Sequence, residues 1–109
     1  MYSYNEEGEE AMKARFNPGD EVYIVTIYEG YTMVKVRIHS ITEKNGSPYY
    51  NVFRLRSGKW EVEEVCPECV YATAQEAYNY CMDTLDASER PYVNSPSYAM
   101  DELPPADIK

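Results

Sequence analysis

Cys66-Pro67-Glu68-Cys69 is the sharpest chemical pattern in the chain. Two thiolates at this spacing on a tight turn can reach one zinc ion at about 2.3 Å. A structural zinc site needs a full tetrahedral set of ligands. Beyond this pair the chain holds one further cysteine, Cys81, and a single histidine, His39. Cys81 falls on the apolar stripe of a helix, where a small buried cysteine is ordinary. His39 alternates with Lys35 and Arg37 on the outer face of a strand. The expectation is therefore no metal, with Pro67 simply turning the chain. Cys66 and Cys69 would be the ligands in the alternative of a small zinc-stabilised adaptor. A redox role is disfavoured because the pair follows a strand and does not open a helix.

Catalytic arrangements fail elsewhere too. His39 stands among charged and aliphatic strand positions, so neither a Ser-His-Asp nor a Cys-His set has a place to form. Glu61, Glu63 and Glu64 alternate along a strand like a solvated face. The five glycines never take a phosphate-binding spacing. The chain reads as a non-enzyme with no cofactor.

Recognition chemistry is better represented. There are 12 tyrosines against 2 phenylalanines and 1 tryptophan. In a sealed core phenylalanine would serve as well without a hydroxyl to satisfy, so the excess points to half-buried rings facing a groove or a partner. Charge is polarised. Between Tyr31 and Lys59 six basic residues (Lys35, Arg37, Lys44, Arg54, Arg56, Lys59) face one acid, Glu43. That stretch stands at +5 and the remainder at −14, for a net −9. Such a chain repels a polyanion as a whole, while one face can attract one. The bland reading is that basic and acidic strands lie side by side and neutralise each other.

These residues need elements to position them. The chain has 109 residues, 44% hydrophobic and 27% charged, enough for one domain. The expected division is a flexible acidic arm over 1–15, a globule over 16–87 and a Pro-rich acidic tail over 88–109, flexible or docked. In the arm, Glu9–Lys13 suits a helical turn. Phe16-Asn17-Pro18-Gly19-Asp20 turns into a strand over Glu21–Tyr28, apolar on both faces and hence central or heavily covered. A second strand runs over Tyr31–Thr42, with Val34, Val36 and Ile38 inward. Ile41 is out of phase with Ile38, and a bulge or bend near Ser40 would bring both inward. Asn45-Gly46 turns the chain, with Ser47-Pro48 lengthening the loop. Strands follow over Tyr49–Leu55 and Lys59–Val65, joined at Ser57-Gly58.

Thr73-Ala74-Gln75-Glu76 is a capping box. Behind it Ala74, Ala77, Tyr78, Cys81, Met82 and Leu85 form one helical stripe. Ser88–Lys109 holds four prolines and no periodicity. No apolar run approaches the ~18 residues of a membrane helix. Met1–Glu10 is the reverse of a secretory signal, no lipidation cysteine ends the chain, and three cysteines make an odd count. A cytoplasmic protein is expected, with no membrane association.

Four or five short antiparallel strands closed by one helix suggest a small barrel. Phe16-Asn17-Pro18-Gly19-Asp20-Glu21-Val22-Tyr23 resembles the opening of SH3-like barrels of the Tudor/KOW type, where a Gly-Asp turn feeds the first strand. Val36–Ile41, Tyr49–Val52, Val70–Thr73 and Gln75-Glu76-Ala77 look like small proteins of bacteriophages and mobile elements. In size and charge the chain is similar to anti-CRISPR proteins. The resemblance implies an accessory protein that inhibits a host nucleic-acid-binding enzyme by contact or by nucleic-acid mimicry, with Glu61, Glu63, Glu64 and Glu68 as its acidic surface. Tyr49 and Tyr50 are the expected aromatic anchors. The alternative is a KOW-like module binding RNA or the ribosome through Lys35, Arg37, Arg54 and Arg56, with Tyr49 or Tyr50 stacking on bases. Pairing of the basic residues with Glu61 and Glu63 would count against this alternative.

Overall fold

The computed structural model describes residues 2–4, 10–12 and 14–107. In chain order its elements are β1 (Tyr2–Tyr4), β2 (Glu10–Met12), β3 (Glu21–Ile27), β4 (Tyr31–Lys44), β5 (Ser47–Arg56), β6 (Lys59–Val65), α1 (Ala74–Thr84) and β7 (Met100–Asp101). Tight 3-10 turns form at Pro67–Cys69, Arg90–Tyr92 and Pro96–Tyr98. The protein is mainly β, with antiparallel strands β3 to β6 adjacent in chain order and one helix beside them.

Alternation along β3 and β4 builds two cores. Val22 opposes Val36 and Ile24 opposes Val34, so four branched side chains share one face. Tyr50, Val52 and Val70 join them. On the other face Met33 packs with Tyr71 and with Ala77 and Cys81 from the helix stripe. β3 is thus covered on both sides, as its composition predicts.

The bulge expected near Ser40 lies between the pairs Ile38↔Val52 and Ser40↔Asn51, leaving His39 as the extra residue. It brings both Ile38 and Ile41 against the core. It also divides β4 between two partners. Tyr31–Arg37 pairs with β3, and Ile38–Lys44 pairs with β5.

The β4–β5 loop is shorter than the sequence suggests. Lys44 pairs directly with Ser47 across Asn45-Gly46, both at positive φ, which is the geometry of a tight hairpin. The flanking pair of such a hairpin exchanges the hydrogen bonds. The next pair, Glu43↔Pro48, therefore needs no N–H from the proline.

Among the described residues no β3–β6 pair closes the sheet. Instead the chain turns at Pro67–Cys69 and returns Tyr71 to the free edge of β3. Tyr71 donates its N–H to the Tyr23 carbonyl (2.9 Å) and accepts from the Tyr23 N–H (2.8 Å). The helix begins where expected, with the Thr73 hydroxyl accepting from the Glu76 N–H at 3.1 Å. The reciprocal half of the capping box is not used, because the Glu76 carboxylate takes the Arg15 guanidinium at 3.3 Å.

Tyr2–Tyr4 pairs with Glu10–Met12 as a small antiparallel sheet, where the Glu9–Lys13 spacing suggests a helical turn. One i,i+4 pair over five residues is too little to nucleate a helix. Glu9 and Lys13 themselves lie outside the described residues. Of the two states expected for the tail, the structure has the docked one. Pro91 and Pro96 sit in the first turns of two 3-10 segments, where their fixed φ is already suitable. Val93 bridges Tyr31, and Met100–Asp101 pairs in parallel with Val34–Lys35. β3 already occupies one edge of this part of β4, so the tail takes the edge that the bulge opened. Gly30 lets it approach, since a Cβ there would overlap the Tyr92 carbonyl.

Candidate functional site

The basic strand residues are engaged within the fold. Arg37 reaches Glu21 at 3.3 Å, and Lys35 reaches the same carboxylate at 4.0 Å. Lys44 meets Glu64 at 2.6 Å, which raises the lysine pKa through that hydrogen bond and its charge. Arg56 pairs with Glu63. Arg54, expected on an open face, has a side chain only 10% exposed, held by Glu102 at 2.6 Å and by Glu63 at 3.8 Å. An arginine so deep needs partners, because an unpaired buried charge costs several kcal/mol.

The acidic row is divided. Glu61 and Glu63 oppose Arg54 and Val52 on one face of β6, whereas Glu64 is on the other face with Trp60 and Val62. Glu68 is exposed in the Pro67–Cys69 turn. Glu63 and Glu64 are already paired, so these four carboxylates do not form one continuous line.

The expected aromatic anchors also separate. Tyr50 is core, 1% exposed, and its hydroxyl accepts from the Arg15 N–H at 2.8 Å. It cannot serve as a surface anchor without unfolding. Tyr49 is half-buried under the Lys44 ammonium, 5.3 Å from its ring centre.

Cys66 and Cys69 bracket one 3-10 turn, in which the Cys69 N–H donates to the Cys66 carbonyl at 3.0 Å. The residue Cys69 is exposed, but desolvation of its thiol, helped by a hydrogen bond with Cys66, pushes its pKa up to about 12. Burial raises Cys81 as well. Thiols held protonated are poor nucleophiles. His39 lies edge-on to Phe53, 5.1 Å away, and its Nδ1 is 2.8 Å from the Ser40 hydroxyl. Among the described residues no three metal-ligating side chains converge.

Two clefts stand out among the described residues. One, of about 330 Å³, lies between β3, β6 and the helix, with Ile24, Val65 and Leu85 lining it beside Tyr71 and Tyr80. Arg54 and Arg56 reach it, but Glu63 and Glu102 balance their charge. The second, of about 340 Å³, opens at the β3–β4 turn between Tyr28, Glu29, Thr32, Asn94, Tyr98 and Met100. Its rings are unusually bare: Tyr98 is 72% exposed and Tyr28 57%. Tyr92, whose carbonyl packs on Gly30 at the same end, is 65% exposed. The Asn94 amide fixes this end by donating to the Thr32 hydroxyl (2.7 Å) and the Glu29 carbonyl (3.1 Å).

Sequence reasoning did not point to these tyrosines, because three of the aromatic end's four main residues come from a tail with no periodicity to place them. The prolines that open the 3-10 turns were the available signal. Comparison of the chain with protein-family models, curated proteins and solved structures finds no match.

Proposed function

We propose that this chain is a non-enzymatic protein-interaction module that engages a protein partner through the aromatic end formed by Tyr28, Tyr92, Tyr98 and Met100. The observation that carries this reading is the clustering of large exposed rings around one cleft, in a protein of net charge −9. Exposed tyrosines supply contact area at low entropic cost, and clusters of them mark binding surfaces. The net charge steers the molecule toward a positively charged partner. A nucleic-acid-handling enzyme has such a face, and a phage-type accessory protein that blocks one fits the size and charge. Contact is favoured over mimicry, because Glu63 and Glu64 already neutralise arginine and lysine. Direct RNA binding through Lys35, Arg37, Arg54 and Arg56 is disfavoured in the same way, since Glu21 takes the first two and Glu102 and Glu63 take the others.

The fold belongs to the proposal in its finer form, an SH3-like barrel. Strand order, the 3-10 turn after β6 and the return of Tyr71 to β3 support it. Three free thiols suit a reducing cytoplasm.

The test is capture of a partner from bacterial lysate by the tagged chain, with and without nuclease, beside a gel shift with RNA at about 0.1 M salt. Capture should survive nuclease and be lost with Tyr98→Ala, and the gel should show no shift. Capture that disappears on nuclease treatment, or a clear shift, would reject the reading.

A further inference from the structure

The bulge at His39 leaves a slot in the sheet. Past the pair Ile38↔Val52, β5 continues through Phe53–Arg56 with β6 on one edge and no β4 residue on the other. The chain's own tail fills this slot, held by a small set of contacts. Met100 and Asp101 pair in parallel with Val34 and Lys35, and the Glu102 N–H donates to the Lys35 carbonyl at 2.8 Å. The Glu102 carboxylate accepts from Arg54 Nε at 2.6 Å and from the Leu55 N–H at 3.0 Å. Two residues further on, Pro104 is buried and its carbonyl accepts from Arg37 at 3.3 Å. The slot thus presents a strand edge, a seat for one carboxylate and a seat for a proline.

We infer that this slot is a binding site for an extended acidic segment of a partner protein, of the pattern glutamate-x-proline, which the chain's own Met100–Pro104 occupies in cis. Three features favour an exchangeable occupant. The parallel ladder is two residues long, far below an ordinary strand. Met100 and Asp101 stay exposed, so little burial holds them. The receiving groups belong to the strands: Arg54 is nine-tenths buried and already aimed into the slot. Addition of a peptide to an open strand edge is a recurring recognition mode, with backbone pairing for affinity and side-chain seats for selectivity.

The tethered tail competes at an effective concentration on the order of millimolar, so the intact chain masks the site from weak ligands. The inference stands apart from the aromatic-end reading, since it rests on Arg54, Leu55 and Arg37. The two are nevertheless linked. Tyr92, Tyr98 and Met100 ride on the tail, so a segment that displaces the tail also takes apart the aromatic end.

The test uses full-length chains and a fluorescein-labelled peptide of residues 98–107, read by anisotropy. Glu102→Gln weakens the cis contact and should bind the peptide about tenfold or more tightly than the unmodified chain. The same peptide with glutamine at its glutamate position should lose about tenfold or more of that affinity. Glu102→Pro removes both the carboxylate and the N–H given to Lys35, and it provides a second unmasked chain if Glu102→Gln misfolds. Equal binding to masked and unmasked chains, or equal binding of the glutamate and glutamine peptides, would overturn the inference. A concentration-dependent dimer of the unmodified chain, dissolved by excess peptide, would overturn the partner assignment by making the occupant a second copy.

Discussion

Arg54 and Glu102 offer a direct measure of how firmly the tail is built into the fold. Their side chains are 10% and 20% exposed, and Nε lies 2.6 Å from Oε1. At an effective dielectric of about 20 the attraction at such range is about 4–6 kcal/mol, offset by a desolvation penalty of several kcal/mol for each ion. The net value of the pair is therefore small, while loss of one partner alone is costly. Glu102→Leu leaves Arg54 buried with Glu63 at 3.8 Å as its remaining acid, and should cost about 2–4 kcal/mol. Arg54→Met should cost about the same, by leaving Glu102 with the Leu55 N–H alone. The double substitution removes both charges and should cost only about 1–2 kcal/mol beyond the native protein, less than either single change. Urea unfolding reads all four chains. With a slope of about 1–3 kcal/mol/M, a change of about 2 kcal/mol moves the midpoint by roughly 1 M. The coupling should be about 2 kcal/mol or more. Single effects that add to the double within about 0.5 kcal/mol would refute the reasoning, because uncoupled residues do not share a buried ion pair.

Other consequences are separate. Gly30→Ala should destabilise by about 1–3 kcal/mol, since its φ is +101° and a Cβ meets the Tyr92 carbonyl; a melting temperature within a degree or two of the native value would contradict the tail placement. Thr73→Ala should cost about 1 kcal/mol by removing the cap on the Glu76 N–H, seen as a lower urea midpoint with the helix signal retained. The Cys69 thiol, raised to about 12, is favoured as the neutral form in the fold, so its stabilisation is complete below about pH 9 and is lost between about 9 and 12. Over that window Cys69→Ser should lose less stability than the native chain, and alkylation of Cys69 should still be accelerating at pH 10. A reaction rate that levels off near pH 8 would refute the raised value. Tyr98→Ala should leave stability within about 0.5 kcal/mol, since its ring is largely in water, while abolishing partner capture.

Local physics made several elements legible in the residues themselves. Val22, Ile24, Val34 and Val36 alternate with period two, and backbone geometry turns that alternation into a shared face wherever the strands pair. Thr73 beside the Ala77–Cys81 stripe sets the start and the buried side of the helix for the same reason. Turns at Asn45-Gly46 and Ser57-Gly58 are marked by their glycines, which accept positive φ freely, although the length of the first loop is not legible. Even the bulge at His39 was readable, from the three-residue step between Ile38 and Ile41.

Other features depend on contacts between residues far apart in the chain, which no local pattern encodes. Tyr50 is core and Tyr49 is not because the β5 pleat, placed by its pairing with β4, points one ring inward. Arg54 reads as a surface cation in sequence. Burial follows only once Glu102, 48 residues away, is brought to it. The tail has no periodicity and little apolar surface of its own, so its composition resembles that of a free segment. It is ordered by an edge that exists only because β4 bends, and by a glycine that lets the Tyr92 carbonyl approach. The aromatic end is built by that docking, which is why tertiary structure rather than sequence placed its tyrosines together.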